Sequence, residues 1–216
     1  MKLFYGSTTL IKEPLFGQGN PSNDYGLGFY LTDNEDLAKL WASKNKDGGY
    51  VITFDINIKS LDVLRIDNYD EKSILQWITL LLKNRFDYVD RIRYQEEIDW
   101  LVKHFDVAIN RFDLIIGYRA DDSYFSYSRG FVAGEISFET LSNALKIGKL
   151  GIQYVLISKK AFKSIKYVSH YFIGHNKDYE MFRKKTLDEY HDLKSKEDTF
   201  NNTFMRDLVK KYGNWR

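Results

Sequence analysis

Residues 24 to 32 read Asp24-Tyr25-Gly26-Leu27-Gly28-Phe29-Tyr30-Leu31-Thr32, a run whose types and spacing suit a ligand wall. Two glycines one residue apart let a backbone turn tightly and come close to a ligand. A β-type run bearing an aromatic ring follows at once. Eleven residues beyond Tyr30, Trp41 ends the helical-looking segment Asn34-Glu35-Asp36-Leu37-Ala38-Lys39-Leu40. Loop, strand and helix can thus present Tyr30 and Trp41 to one flat ligand. Gly-x-Gly is also common and aromatic rings usually serve the core, so this spacing alone leaves function open. Further polar and aromatic groups stand at the ends of apolar runs. They are Tyr5-Gly6-Ser7, Arg119-Ala120-Asp121-Asp122 and Gln153-Tyr154. Asp121 or Asp122 can serve as a base or as the charge partner of Arg119, and a purely structural Arg–Asp turn fits the same residues equally well.

Several other chemistries are excluded or disfavoured. The chain has no cysteine, which removes disulfides and thiolate catalysis. The four histidines, His104, His170, His175 and His191, lack metal-ligand spacing, so no metal site is expected. His170 and His175 are five residues apart and can face one pocket, although surface or core roles are commoner. No phosphate loop and no Gly-x-Ser-x-Gly elbow occurs. The Gly-x-Gly lacks the third glycine and acidic follower of a dinucleotide fingerprint.

The elements that must position these groups can be read from periodicity. Lys2 to Tyr5 forms a first strand, followed by a Gly/Pro-bearing loop from about Phe16 to Asn23. Val51 to Ile56 alternates as a strand, and Leu61 to Ile66 suits a short one. From Glu71 to Asn84 the apolar residues fall at helical spacing and predict an amphipathic helix. A second helix is expected over Arg91 to His104, then a buried strand at Leu114 to Gly117. Ser137 is placed to cap a helix reaching about Leu145. Gln153 to Ile157 and Ile165 to Val168 read as strands, and Asp178–Leu193 and Thr203–Lys211 as helices. This irregular order predicts an α+β fold with a mostly antiparallel sheet.

At 216 residues the chain suits one domain with an appendage, and hides roughly 70% of its unfolded surface on folding. The division is expected at residue 170: a domain over 1–170 and a basic, aromatic-rich helical extension over 171–216. Residues 159–216 hold fourteen Lys/Arg against eight Asp/Glu, which hints at an anionic partner. The cations Lys184, Lys185, Lys210, Lys211 and Arg216 interleave with rings such as Tyr179, Tyr190, Phe204 and Trp215. That pattern suits a single-stranded nucleic acid, and suits helices packed onto the body by their aromatic faces rather better. No signal-peptide h-region and no apolar run near the ~20 residues of a membrane span occurs. The expected setting is therefore cytoplasmic, with no membrane partner.

Taken in order, Phe4-Tyr5-Gly6-Ser7, the Asp24 to Thr32 run, Ala38 to Ala42, Trp77, Asn84-Arg85, Asp113 to Asp122 and Gln153 to Leu156 resemble the ADP-ribosyltransferase fold. The resemblance is to its diphtheria-toxin and poly(ADP-ribose)-polymerase branch. More narrowly, the chain is similar to an uncharacterised bacterial family often encoded beside small partner proteins in toxin–antitoxin-like pairs. The resemblance spans about residues 3 to 168. It implies a split antiparallel sheet with flanking helices, NAD as cosubstrate without a metal, and mono-transfer of ADP-ribose to nucleic acid or protein. It also implies a partner antitoxin. Carried over by position, Gly6 offers backbone hydrogen bonds to the nicotinamide carboxamide, Tyr30 and Trp41 stack on the ring, and Gly28 belongs to the same wall. Ser7, Asn23 and Asp24 lie toward ribose and adenosine, and Gln153 occupies the third signature position. Two departures stand out: the family's first-position histidine is Tyr5, and Gln153 carries no charge. A catalytically inactive nucleotide- or partner-binding module, or an NAD glycohydrolase, are the alternatives.

Overall fold

A long ladder joins Lys2–Ser7 (β1) to Gly49–Ile56 (β3), whose residues pair antiparallel from Lys2 with Asp55 to Ser7 with Tyr50. The computed structural model describes residues 1–120, 122–147 and 151–213. Among these, the remaining strands are Phe29–Thr32 (β2), Val63–Ile66 (β4), Leu114–Tyr118 (β5), Ile152–Leu156 (β6) and Ile165–Ile173 (β7). They form one sheet in the order β4-β5-β6-β2-β1-β3-β7. The α+β architecture is the expected one, and the sheet is antiparallel except at β4–β5. Its division falls between β2 and β1, where a single residue pair, Phe4 with Thr32, is in register. The sheet thus holds two halves joined by a narrow seam.

Alternation along the strands sends successive side chains to opposite faces. On one face Leu3, Phe29, Phe54, Ile116 and Leu156 pack in a common cluster, closed by Ala161 of a short helix, Lys159–Ser164 (α7). On the other face Ile115 and Val155 meet the helices Glu71–Arg85 (α2), Gln95–Phe105 (α4), Asp122–Val132 (α5) and Phe138–Ile147 (α6). On that same face, beyond the seam, Phe4 and Val51 meet Ala38 and Ala42 of Glu35–Ser43 (α1). Local signals start these helices. Asn34 caps α1 by accepting from Asp36 N at 2.9 Å, and Asp70 caps α2 by accepting from Ser73 N at 2.8 Å.

Four parts of the chain depart from the sequence expectation. The amphipathic α2 is buried nearly all round, from Ser73 to Leu82 apart from Gln76, because α4 covers the side that faces away from the sheet. The single helix expected over 91–104 is two, Tyr88–Arg93 (α3) and α4, broken at Tyr94 with φ −117°. Asp87 starts α3 early by accepting from Asp90 N at 2.8 Å. Helix α5, rich in Ser, Tyr and Phe, has little intrinsic helix signal; burial of Tyr127, Phe131 and Val132 holds it. Strand β7 runs on to Ile173 and pairs with β3 throughout, past residue 170.

The helices Asp178–Ser195 (α8) and Met205–Tyr212 (α9) close the described chain. Tyr190 of α8 meets Tyr127 edge-on at 4.7 Å, and Leu208 and Val209 of α9 join the main cluster. Trp100 Nε1 donates to Gly213 O at 2.8 Å. No helix among the described residues is long and apolar enough to cross a membrane.

Candidate functional site

A cleft of about 590 Å³ lies over the seam, bounded by β1 and β2, α1, the end of α2 and the loop before β2. That volume is in the range of small-molecule sites. Its lining brings together Tyr5, Gly6, Asn23, Asp24, Gly28, Tyr30, Trp41, Arg119 and Gln153, drawn from segments far apart in the chain. Ser7 is not in the lining; its hydroxyl accepts from Thr9 N at 3.2 Å. Asp121 lies outside the described residues.

Asp24 is the hub of the cleft floor. Its Oδ1 accepts from Arg85 Nη1 at 3.0 Å, and its Oδ2 accepts from Ala120 N at 2.9 Å and from Gln153 Nε2 at 3.2 Å. Burial pushes the carboxyl above its ordinary value, while the Arg85 guanidinium and the Ala120 N–H pull it back. Arg85 Nη1 also donates to Ala120 O at 3.0 Å, and Asn84 Nδ2 donates to Asp24 O at 3.1 Å. The end of α2 therefore clamps the loop that bears Asp24. The same loop is tied to β5 by Tyr25, whose hydroxyl donates to Tyr118 O at 2.6 Å. Asp24 was expected toward ribose and adenosine. At 5% exposure it is built into the cleft floor.

Tyr30 offers the cleft a ring and no free hydroxyl. The hydroxyl donates to Gly26 O at 2.6 Å and accepts from Tyr25 N at 3.1 Å. Burial first, and the nearby Asp24 charge second, hold its phenol far above the ordinary range, so it serves as a wall and not as a base. The two glycines of the opening motif divide the work. Gly26 turns the chain with φ +78°, where a side chain is strained. Gly28 makes a close approach, but to β6: a Cβ there would stand 2.7 Å from Val155 Cγ1. Gly6 likewise leaves room for α1, since a Cβ would strike the Ala38 carbonyl.

Trp41 has company on its ring. The Arg119 guanidinium lies 4.7 Å from the ring centroid, the Lys44 ammonium 4.2 Å, and Tyr179 meets it edge-on at 5.8 Å. A second stacked layer on Trp41 must share that space with Arg119. Tyr5 shares the cluster of Phe29, on the face of the sheet opposite Tyr30, with ring centroids 4.6 Å apart. Burial raises its phenol, partly offset by the Ser7 hydroxyl. Tyr5 thus reaches the cleft from across the seam.

Gln153 is 9% exposed and lines the cleft, and its Oε1 is a buried acceptor without a hydrogen-bond partner. Two arginines and one aspartate are the charged lining groups, an excess of one positive charge. An aromatic wall, a neutral acceptor and two guanidinium groups suit a flat ligand that carries hydroxyls and anionic groups.

Arg85 was absent from the site read in the sequence, although Asn84-Arg85 had been singled out as a matching piece. Its position at the last residue of an apolar helix is the only local hint. His170 and His175 do not share a pocket: His170 meets the Tyr167 hydroxyl, and His175 Nδ1 lies 3.0 Å from Ser43 O. In the extension, Lys194 pairs with Glu135 at 2.6 Å and Lys211 with Glu71 at 2.8 Å, while Tyr190 and Phe204 are buried. Trp215 and Arg216 lie outside the described residues.

Fold and site together define an α+β protein with a ligand-type cleft at a sheet seam. Residues 1–167 match the family model described as a protein of unknown function, DUF3990, and the chain belongs to that family. The match ends within β7. No curated protein and no solved structure matches the chain.

Proposed function

We propose that this protein is a mono-ADP-ribosyltransferase that takes ADP-ribose from NAD, passes it to a macromolecule and releases nicotinamide. The observation that carries this reading is the meeting of three matched positions on adjacent strands. Tyr5-Gly6 on β1, Tyr30 on β2 and Gln153 on β6 are neighbours in the sheet order and line one cleft. Nicotinamide in NAD is a flat cation, so the Tyr30 ring face attracts it. Arg85 and Arg119 suit the diphosphate, and Gln153 Oε1 suits a ribose hydroxyl. In the reaction the bond from ribose C1′ to the nicotinamide nitrogen breaks, and its electron pair leaves with neutral nicotinamide. The acceptor then bonds to C1′ and gives up a proton. The transition state has oxocarbenium character, as in glycoside hydrolysis, so groups aimed at the ribose must stabilise it.

The acceptor is a nucleic acid or a protein, and an intracellular toxin held by a partner antitoxin is the setting that the family resemblance suggests. Incubation with labelled NAD and a bacterial extract, followed by separation of nucleic acid from protein, tests the reading. Label in one fraction with free nicotinamide is expected. No transfer and no nicotinamide release would overturn it. The position of Tyr5 across the seam favours one alternative, a module that binds NAD without turnover, which calorimetry would reveal as binding in the absence of product.

A further inference from the structure

The orientation of the Gln153 amide is dictated from behind. Asp24 Oδ2 is an acceptor only, so the edge of Gln153 that touches it at 3.2 Å must be the NH₂ group. Turning the amide over would set two acceptors against each other in a buried place. Arg85 and Ala120 N also donate to Asp24 and hold the carboxylate in place. As a result Oε1 of Gln153, a residue that lines the cleft, is left a buried acceptor without a partner. An unpaired buried acceptor is destabilising, a deficit that a donor on a ligand removes. The uncharged amide also has a carboxylate directly behind it, and a buried hydrogen bond of this kind polarises its acceptor.

We propose that Asp24 is a positioning residue that locks Gln153 with its Oε1 reserved for a neutral hydroxyl of the ligand, and sets a negative charge one amide behind that point. Resting on the NAD reading, the hydroxyl is the 2′-hydroxyl of the ribose that carries nicotinamide. Asp24 itself touches no ligand atom in this account. It acts through Gln153, and the charge missing at position 153 is supplied from position 24.

The test is discrimination between NAD and its analogue lacking that 2′-hydroxyl, measured by calorimetry on the full chain. Wild type is expected to prefer NAD by at least about tenfold, since an acceptor left unpaired rejects the deoxy ligand. Asp24→Asn and Gln153→Ala should each bring the preference to within about twofold, and the double variant should lose nothing more, as for residues that act through one another. A merely structural Asp24 would weaken both ligands alike and leave the ratio unchanged, which overturns the proposal. Should Asp24→Asn fail to fold, Gln153→Glu provides the second arm. It sets two carboxylates against each other, so NAD binding should weaken. Undiminished binding by Gln153→Glu alone would overturn the proposal. Discrimination without nicotinamide release would sink the transferase reading and leave the role of Asp24 standing. Turnover with an unchanged ratio would do the reverse, and no NAD binding by wild type would remove both.

Discussion

At the scale of single residues, Tyr30 shows two jobs in one side chain. Its hydroxyl ties down the turn at Gly26 and Tyr25, and its ring faces the cleft. Removing each separately should therefore give different results. Tyr30→Phe keeps the ring and is expected to cost about 1–3 kcal/mol of stability through the unpaired Gly26 carbonyl and Tyr25 N–H, with NAD affinity little changed. Tyr30→Ala should lose the ring as well and weaken NAD binding by at least about tenfold. Thermal denaturation reads the first effect and calorimetry the second. Equal NAD affinity in all three proteins would show that the ring is no part of a nicotinamide site. The hydroxyl's pairing with the 24–26 turn also explains why the Gly-x-Gly-x-Tyr spacing is informative: the tyrosine completes the turn that the first glycine begins.

At the scale of elements, Asp113 fastens the connection between β5, the end of β6 and α7. Its Oδ2 accepts from Asp62 N at 2.9 Å, its Oδ1 accepts from Ser158 Oγ at 2.6 Å, and Lys160 Nζ stands 2.9 Å away. Ser158 in turn caps α7 by accepting from Ala161 N at 3.1 Å. The hydrogen bond from Lys160 first, then that from Ser158 and that from Asp62 N, hold the Asp113 carboxyl down at about 2. The folded value is thus below the unfolded one of about 4. The stabilisation is fully present above about pH 4 and is lost as pH falls towards 2. Asp113→Ala should lower stability at neutral pH by about 1–3 kcal/mol, and its gap from wild type should close in acid. Denaturation at several pH values would check this, and a gap independent of pH would refute it. This network lies one strand away from Gln153, so it holds the frame of the cleft without entering it.

For the molecule as a whole, the question is how the extension relates to the body. Leu208 is fully buried in α9, within the same cluster as Trp77 of α2 and Val155 of β6. The extension is also bonded to the body by side chains. Thr203 N donates to Glu139 Oε2 at 2.8 Å, Ser137 N donates to Glu197 Oε2 at 3.0 Å, and the Tyr212 hydroxyl meets Glu71. A shared core implies shared unfolding. Leu208→Ala is expected to cost about 2–5 kcal/mol and to lower one common melting transition for the entire chain. Two separate transitions, with only the smaller one shifted by the substitution, would contradict this.

Period and local chemistry alone determined much of this protein. The alternation of β3, the apolar run of β5 and the helical spacing of α2 are properties of neighbouring residues, and so are the caps at Asn34, Asp70 and Ser137. The rings and glycines of the cleft were legible for the same reason: their spacing within one short run is itself the signal. Other features were decided only in three dimensions. Asp24 meets Arg85 across 61 residues and Gln153 across 129, and no local pattern marks such a meeting. The helical state of α5 depends on burial against distant segments, which overrides weak local propensity. Which face each cleft residue occupies was likewise hidden until register was known. Tyr5 stands opposite Tyr30 because β1 and β2 share one residue pair, and in a pleated sheet register alone decides on which side a side chain emerges.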